Sequence, residues 1–539
     1  MNRTILDWIK SRLGGPEAEH VVLLREANAL RERAPEQAQE IGLAILKRSP
    51  DDVQALSLLA NVAADLGRVE EGLRWADKGI AADPSAAAPY YCKGRLWDLA
   101  GRLDEAEASY RKVLDLDQGH AKAHNNLGCV LALQGRHEES LVCFRQALRL
   151  DPGLAEANQN LAGRISDPRA RETAIKAYQT RIRNDPADAR AYLNLAKIYV
   201  GQGSTTEAME CLDRSIELAP DDADAHLCKA LLLLLKGEYA AGWQEYEWRW
   251  RLKGPLGEPA RRFSQPMWDG QDLGSGALLV HGELALGEPL QFARYARLAA
   301  ERCGCVIIEC APRVKALLQG IEGVGLTIAA GEALPPFAAH IPLYGLPRLF
   351  GTTLQNIHWN GPYIHPDPGR VERWRSLIEA TGTARFRVGL AWSGNRQIPY
   401  NADRSIELSS LAPLLGIPGA AFYSLQKDGA ADIASLRPTS GNLFDLMAHE
   451  HDLLDTAAFI SQLDLVITVD TMISALAGAM GARVWLLLCR VPDWRHHLER
   501  TDNPWYPTMR LYRQKREGDW SNVVDRVAVD LRELIPGSD

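Results

Sequence analysis

The sequence lacks an excess of positive charge, a long apolar run and a secretory leader. Its formal net charge is −8, which argues against a nucleic-acid or anionic-membrane partner, because either partner needs a basic face to meet phosphates. The longest apolar run, from Ala230 to Leu235, is far shorter than the roughly 20 residues of a membrane span. The start, MNRTILDWIK, carries charges where a leader would be apolar. We therefore expect a cytoplasmic protein with no nucleic-acid or membrane partner.

Cysteines are also few, and their spacing does not indicate a metal site. Of the nine cysteines, only Cys303, Cys305 and Cys310 lie close together, and no CxxC pair or histidine pair completes a zinc site. We expect buried thiols there and no metal. The 539 residues, 46% of them apolar, are typical of a soluble protein with about three domains of roughly 150 residues each.

Two interleaved series of residues give the first half a constant period. Neighbouring members are 34 residues apart, or twice that: Pro50, Pro84, Pro152, Pro186 and Pro220, and Gly67, Gly101, Gly135, Gly203 and Gly237. Two amphipathic helices are predicted in each unit. In AHNNLGCVLALQGRHEESLVCFRQALRLDP, the small residues Gly128 and Ser140 let the helices approach closely, and Asp-Pro ends the second helix. This pattern resembles the tetratricopeptide repeat, in about seven units, and predicts an α-solenoid over residues 1–250.

Three asparagines occupy the same place in consecutive repeats, at Asn126, Asn160 and Asn194. Asparagine is a mediocre helix former, so its recurrence inside helices needs a reason. A carboxamide is both a donor and an acceptor, and it can hold the main chain of an extended peptide without reading its sequence. The series is similar to the asparagine ladder of O-GlcNAc transferases, which implies that these residues bind a protein acceptor. Alternatively, asparagine serves solvation or packing at this place in the repeat.

The second half changes character. Residues 251–275 are rich in Gly, Pro and charge and are predicted to be a linker. Strand patterns then alternate with helix patterns, including a helix from about Leu290 to Arg302. The predicted strands are ALLVHG, CVIIEC and GLTIAAG in residues 276–370, and RVGLAWSGN, AAFYSLQKD, LDLVITVD and VWLLL in residues 371–539. This alternation predicts two Rossmann-like α/β halves with parallel sheets, and the pair behind a solenoid favours a GT-B architecture with its ligand at the carboxyl ends of the strands.

Polar residues directly follow the strands of the second half. Asp470 and Thr471 stand where a helix begins, and the N–H groups and dipole of a helix N-terminus favour a diphosphate. Asp470 is expected to cap that helix or to accept a hydrogen bond from a sugar hydroxyl. Arg404 and Lys427 are the cations expected beside a departing nucleoside diphosphate, unless they are solvated loop charges. The remaining candidate donor-binding residues at strand ends are Gly394, Asn395, Ser405 and Gln426.

Motifs along most of the chain add a resemblance to a known family. The stretches MWDG, GELALGEPLQFARY, GLAWSGN, DRSIEL, DTAAFISQLDLVITVDT, LAGAMG and DNPWYP resemble bacterial tetratricopeptide proteins with a glycosyltransferase domain of the heptosyltransferase type. The resemblance implies a GT-B fold, a nucleotide sugar bound in the C-terminal half, and inverting transfer that needs no metal and no cofactor. That family has Gly-Leu-Gly-Asp after its first strand, with the aspartate as the base. Here Ala285, Leu286, Gly287 and Glu288 match, which makes Glu288 the candidate catalytic base.

A second departure from the family pattern is Ala475, which stands where a histidine is expected near the donor phosphates. Either neighbours such as Arg495, His496 or His497 compensate for it, or catalysis has been lost and only binding remains.

The sequence leaves three functions open. In the first, a glycosyltransferase moves a sugar to a hydroxyl of a protein acceptor held by the repeats, such as flagellin or another bacterial surface protein. In the second, the chain is an inactive GT-B-like scaffold whose repeats mediate protein–protein interaction. In the third, the acceptor is a lipid or a saccharide and the repeats serve assembly, although the lack of a basic amphipathic anchor disfavours a lipid.

Overall fold

The computed structural model describes residues 16–31, 35–134, 136–151, 154, 157, 168–252, 263–282, 286–382, 386–394, 403–436 and 442–535. The chain forms two compact units, Met1–Ile165 and Ser166–Asp539. The second unit contains the later repeats and two β-sheets. The predicted domain boundaries at residues 250, 275 and 370 stay predictions.

Pairs of helices joined by short turns occupy the described residues before the first sheet. The helices of the first unit are Pro16–Leu30, Pro35–Arg48, Val53–Asp65, Val69–Ala82, Ala87–Leu99, Leu103–Leu116, Ala121–Leu133 and His137–Leu150. Those of the second unit are Pro168–Asn184, Ala189–Gln202, Thr205–Leu218, Ala223–Lys236 and Tyr239–Tyr246.

The glycine series marks the turn inside each pair. Gly67, Gly101, Gly203 and Gly237 have φ values of 69°, 71°, 74° and 85°. Glycine adopts this left-handed conformation without strain, whereas a side chain would resist it. The turn geometry therefore explains why glycine recurs there. Gly135 lies outside the described residues.

The close approach predicted at Gly128 and Ser140 is confirmed. A Cβ built on Gly128 would lie 2.7 Å from Cε1 of Phe144, whose side chain is fully buried. The Ser140 hydroxyl donates to the carbonyl oxygen of Gly128 at 2.6 Å. The second helix of this repeat thus packs directly on the backbone of the first.

A four-stranded sheet follows the repeats. Its strands are β1 (Ala277–His281), β2 (Cys305–Cys310), β3 (Val324–Ala329) and β4 (Ala339–Pro342), all parallel in the order β3-β2-β1-β4. The helices around it are Gly287–Phe292, Ala296–Ala300, Lys315–Leu318 and Gly345–Leu349. The next helix, Pro368–Glu379, packs against the helix Leu453–Ile460, with Trp374 stacked on Phe459. The helix predicted from about Leu290 to Arg302 is observed as two α-helical segments, because a 3₁₀ turn at Ala293–Tyr295 divides it.

A second parallel sheet has six strands. They are β5 (Phe386–Ala391), β6 (Ala420–Ser424), β7 (Leu443–Phe444), β8 (Leu465–Val469), β9 (Val484–Leu488) and β10 (Met509–Arg513), in the order β10-β9-β8-β5-β6-β7. Its helices are Ala412–Leu415, Ala430–Ser435, Leu453–Ile460, Met472–Ala479 and Ser521–Leu534. Apolar side chains of the central strands, including Val388, Leu390 and Ile467, are buried in the core under this sheet.

The predicted α/β content of the second half is confirmed, although the sequence pattern missed β4, β7 and β10. Strands β4 and β7 are short, with four and two residues, so neither offers a run long enough to show a period. Within the described ranges, no helix combines the length and the apolar character needed to cross a membrane.

Candidate functional site

The six-stranded sheet reverses its strand order between β5 and β8. From β5 the chain continues to β6 and β7 on one side, and it then forms β8, β9 and β10 on the other side. The loops leave the two central strands in opposite directions, and the crevice that opens at their carboxyl ends is where such sheets bind ligands. A cavity of about 330 Å³ lies there. Its lining includes Asp403, Arg404, Asp470, Val491 and Asp493.

The helix that begins after β8 is capped by Thr471. The Oγ1 of Thr471 accepts a hydrogen bond from the backbone N–H of Ile473 at 3.3 Å. The expectation that Asp470 caps this helix is wrong, because the residue one position later has the extended conformation and the short hydroxyl that an N-cap needs. The capped first turn still directs its peptide dipoles to the carboxyl edge of the sheet.

Asp470 is paired with two other side chains. Its Oδ1 lies 3.3 Å from Nε2 of His496, and its Oδ2 lies 3.7 Å from Nη1 of Arg404. Burial alone would raise the pKa of Asp470, but His496, Arg404 and Arg495 outweigh that effect and lower it. The carboxylate is therefore ionised at neutral pH.

The tautomer of His496 follows from its other neighbour. The side-chain oxygen of Asn503 accepts hydrogen bonds from the backbone N–H groups of Trp505 at 2.8 Å and Tyr506 at 3.2 Å. The Asn503 amide nitrogen must then face Nδ1 of His496, which lies 3.0 Å away, and an N–H can only donate to an unprotonated ring nitrogen. The imidazole hydrogen is consequently on Nε2, the ring nitrogen that lies 3.3 Å from Oδ1 of Asp470 without the geometry of a hydrogen bond.

The other donor-binding candidates are distributed around the crevice. Arg404 lines the cavity, and the hydroxyl of Ser405 accepts a hydrogen bond from the backbone N–H of Gly394 at 3.2 Å. Asn395 lies outside the described residues. The structure thus brings Arg404 and Asp470 together and joins Gly394, which follows β5, to Ser405 later in the chain.

Gln426 and Lys427 are engaged elsewhere. The side-chain oxygen of Gln426 accepts from the backbone N–H groups of Trp392 at 3.2 Å and Ser393 at 3.0 Å. The ammonium of Lys427 lies 3.2 Å from a carboxylate oxygen of Glu450. These contacts give Gln426 a role in fixing the end of β5 and give Lys427 a local partner.

Glu288 stands in the first turn of the helix Gly287–Phe292, which follows β1. Its Oε1 lies 3.5 Å from Nη2 of Arg495. Arg495 also donates from Nε to the side-chain oxygen of Gln291 at 2.7 Å and from Nη1 to Asp493 at 2.8 Å. Burial would lower the pKa of Arg495, but Asp493, Tyr344 and Glu288 raise it well above its ordinary value. A fixed cation therefore connects the predicted base with the cavity-lining Asp493.

Ala475 faces the segment that carries Glu288. A Cβ built on Gly287 would lie 4.0 Å from Cβ of Ala475, which is ordinary van der Waals contact. The position at which the sequence resemblance implied a histidine therefore lies beside Gly287, the neighbour of the predicted base, and in this chain two small residues meet there. Sequence reasoning missed Asp403, Asp493 and Gln291 as parts of the site, although Asp403 and Asp493 follow strand patterns.

The asparagine candidates have local partners. The amide nitrogen of Asn126 donates to the hydroxyls of Tyr91 at 3.2 Å and Tyr110 at 3.3 Å. Asn194 is 9% exposed. Asn160 lies outside the described residues. Asn126 and Asn194 belong to different compact units; Asn126 is hydrogen-bonded within its own unit, and Asn194 is buried.

Comparison with solved structures returns repeat proteins. YrrB, a TPR protein with an unusual peptide-binding site, is 23% identical with a TM-score of 0.27, and the match covers 35% of this chain and 98% of that one. The TPR protein TTC0263 of Thermus thermophilus is 21% identical with a TM-score of 0.28, and the match covers 39% of this chain and 97% of that one.

Among curated proteins, Protein FlbA of Caulobacter vibrioides is 28% identical over 336 residues. The match covers 57% of this chain and 54% of that protein, so the chain spans about half the length of this relative. Models of the tetratricopeptide repeat match residues 28–87, 88–120, 121–154 and 170–232. The N-terminal region of the chain therefore consists of tetratricopeptide repeats.

Proposed function

We propose that the chain is an inverting, metal-independent glycosyltransferase of GT-B architecture that acts on a protein. The nucleotide sugar binds in the crevice of the six-stranded sheet, and the repeats bind the acceptor, since stacked repeats form extended protein-binding surfaces. A lipid or saccharide acceptor has no comparable support among the described residues. Protein binding by the repeats is the part of this proposal that the family matches support.

The observation that carries the proposal is the pairing of Arg404 with Asp470 at the reversal point of the sheet. The Arg404 side chain is 30% exposed, with Nη1 3.7 Å from Asp470, and it lines the cavity. The N-terminus of the helix Met472–Ala479 adds partial positive charge beside it. Together they favour the diphosphate of a nucleotide sugar.

The proposed reaction uses this arrangement. A serine or threonine hydroxyl oxygen of the acceptor attacks the anomeric carbon, and the bond from that carbon to the diphosphate oxygen breaks. The hydroxyl proton goes to the carboxylate of Glu288, and the diphosphate leaves with its added charge beside Arg404. Arg495 lies against Glu288 and orients its carboxylate for this step.

A scaffold function has its own support. Three of the described residues that line the cavity are aspartates and one is an arginine, an arrangement that favours hydroxyl-rich or cationic guests over a bare diphosphate. Glu288 is already paired with Arg495, and Ala475 replaces the family's histidine. In this alternative the repeats bind a protein and the crevice is inert.

A thermal-shift titration with UDP, GDP, ADP, CMP and dTDP separates the two functions. A ligand that binds only the folded state raises the melting temperature, by an amount equivalent to about 2.7 kcal/mol at 100 times its dissociation constant. We expect one of the nucleotides to stabilise the protein and Arg404→Ala to abolish that shift. The matched control is Arg483→Ala, because Arg483 is exposed at the amino end of β9. No response to any nucleotide favours the scaffold.

If a nucleotide binds, Glu288→Gln should abolish transfer and leave the shift intact, because the amide keeps the shape but cannot accept the proton. Full transfer by that variant would remove Glu288 from the mechanism. Replacement of Asn126, Asn160 and Asn194 by alanine should weaken use of the acceptor without changing the nucleotide-induced shift.

A further inference from the structure

His497 has a strained backbone conformation. Its φ is 51° and its ψ is −178°. Among the described residues, it is the one residue other than glycine that has a positive φ. Such a conformation costs on the order of 1–3 kcal/mol and persists only where surrounding contacts impose it. His497 is 5% exposed, so those contacts come from the protein interior.

The contacts come from the last repeat. Nδ1 of His497 donates to the carbonyl oxygen of Leu235 at 3.0 Å, and the Tyr239 hydroxyl donates to Nε2 at 3.1 Å. The Tyr239 oxygen in turn accepts from Nε1 of Trp505 at 3.0 Å. Burial lowers the pKa of His497, which is consistent with a neutral ring that donates from one nitrogen and accepts at the other.

The residues that precede His497 belong to the candidate site. Nη2 of Arg495 lies 3.5 Å from Oε1 of Glu288, and Nε2 of His496 lies 3.3 Å from Oδ1 of Asp470. Nη2 of Arg513 donates to the carbonyl oxygens of His496 at 2.9 Å and of His497 at 2.7 Å. The backbone at His496 and His497 is thus held by Arg513, and the His497 side chain is held by the last repeat.

The loop that contains Val491 and His497, called here the cavity loop, contacts two glycine turns of the repeats. A Cβ built on Gly203 would lie 3.4 Å from Cγ2 of Val491, which lines the cavity. A Cβ built on Gly237 would lie 3.6 Å from Cε1 of His497. Both glycines belong to the series with the 34-residue step. The turns of consecutive repeats therefore touch the cavity loop at both of its ends.

We propose that His497 is a positioning residue through which the last repeat sets the geometry of the crevice. The repeat holds His497 in its strained conformation, and this conformation places Arg495 beside Glu288 and His496 beside Asp470. The effect on donor binding rests on the proposed function, whereas the effect on the His496 ring does not depend on it.

Two variants test the link, each with a matched control. Tyr239→Phe removes the hydroxyl between Trp505 and His497, and its control is Tyr199→Phe, whose hydroxyl accepts only from Gln179 at 3.4 Å among the contacts found in the described residues. His497→Asn keeps a residue type that tolerates positive φ but is too short to bridge Leu235 and Tyr239. Its control is His449→Asn, at an exposed histidine.

The primary measurement is the ¹⁵N spectrum of histidine-labelled protein, with His496 assigned by His496→Gln. In the unaltered protein and both controls we expect the pattern of a single neutral tautomer with its hydrogen on Nε2. In Tyr239→Phe and His497→Asn the His496 signals should move towards the average of two tautomers. His497→Gly relieves the strain without restoring the bridge, so it should behave like His497→Asn.

The second measurement is the thermal shift with the same five nucleotides, where both variants should weaken binding at least tenfold relative to their controls. Unchanged His496 signals in both variants would overturn the proposal. If the unaltered protein binds no nucleotide, the proposed function fails while the His496 spectrum still decides the positioning role. If Tyr239→Phe does not fold by circular dichroism, the comparison of His497→Asn with His449→Asn decides it.

Discussion

Gly478→Ala tests how the helix that carries the candidate site is seated. A Cβ on Gly478 would lie 2.6 Å from Cγ and 2.8 Å from Cδ1 and Cδ2 of Tyr506, far inside ordinary carbon–carbon contact of about 3.5–4.0 Å. The ring of Tyr506 is 4% exposed. It is backed by Trp359 at a centroid distance of 6.0 Å and by the guanidinium of Arg294 at 4.9 Å, so it has no free direction in which to move.

The added methyl group must therefore shift the helix Met472–Ala479 or strain the aromatic cluster. Such overpacking typically costs about 1–3 kcal/mol. We expect a cost near the upper end of this range, because the methyl group would contact the face of a ring rather than the flexible end of a side chain. The control is Gly201→Ala, a helical position where a Cβ would meet nothing within 4 Å. That change should stabilise the protein by roughly 0.5–1 kcal/mol.

Urea denaturation, followed by both tryptophan fluorescence and circular dichroism, measures the two free energies of unfolding. The reasoning is refuted if Gly478→Ala is as stable as the unaltered protein, or if Gly201→Ala is the less stable of the two variants. Since the helix also supplies the N-terminus beside Arg404, Gly478→Ala should weaken any nucleotide-induced thermal shift in parallel.

Three further predictions concern stability. Gly128→Ala should cost about 2 kcal/mol in denaturant titrations, because its Cβ would lie 2.7 Å from the buried ring of Phe144; an unchanged midpoint would contradict it. Asp455→Asn should cost about 2 kcal/mol at pH 7, because this fully buried carboxylate pairs with Arg373 and, at 2.9 Å, with Arg370. The cost should shrink below about pH 4, since burial raises the pKa of Asp455 but Arg373, the His451 N–H and Arg370 lower it overall. Burial lowers the folded-state pKa of His497, with Arg500, His496 and Arg513 facing it, so its contribution to stability is full above about pH 6.5 and falls below that pH, by up to about 1.4 kcal/mol per pH unit, because the unfolded state gains the proton. The melting temperature of His497→Asn should therefore differ less between about pH 7.5 and 5.5, on either side of that value, than the melting temperature of the unaltered protein. An equal difference would refute this role of His497.

The repeats could be predicted because their signal is local. Gly67 and Gly203 recur for a backbone reason that acts within one turn, and Gly128 faces Phe144 only 16 residues away in the same unit. The strand ends could also be predicted from the sequence, since a buried run followed by a polar residue marks the carboxyl edge of a parallel sheet. Arg404 and Asp470 could therefore be predicted from the sequence as neighbours at that edge.

The remainder of the site depends on contacts between distant residues. The pair of Glu288 with Arg495 joins residues 207 positions apart, and no periodic pattern reports such a contact. The same applies to Gly287 against Ala475 and to His497 against Leu235. For Asn126 the sequence shows that asparagine recurs in the repeats, but it does not show the tyrosine side chains that Asn126 contacts. Those contacts support the packing alternative.

The most direct test of the central claim is a crystal structure of the protein with the nucleotide that gives the largest thermal shift. We expect the diphosphate within hydrogen-bonding distance of the Arg404 guanidinium and of the first turn of the helix Met472–Ala479. A nucleotide bound elsewhere, or a crevice that stays without nucleotide at saturating concentration, would contradict it.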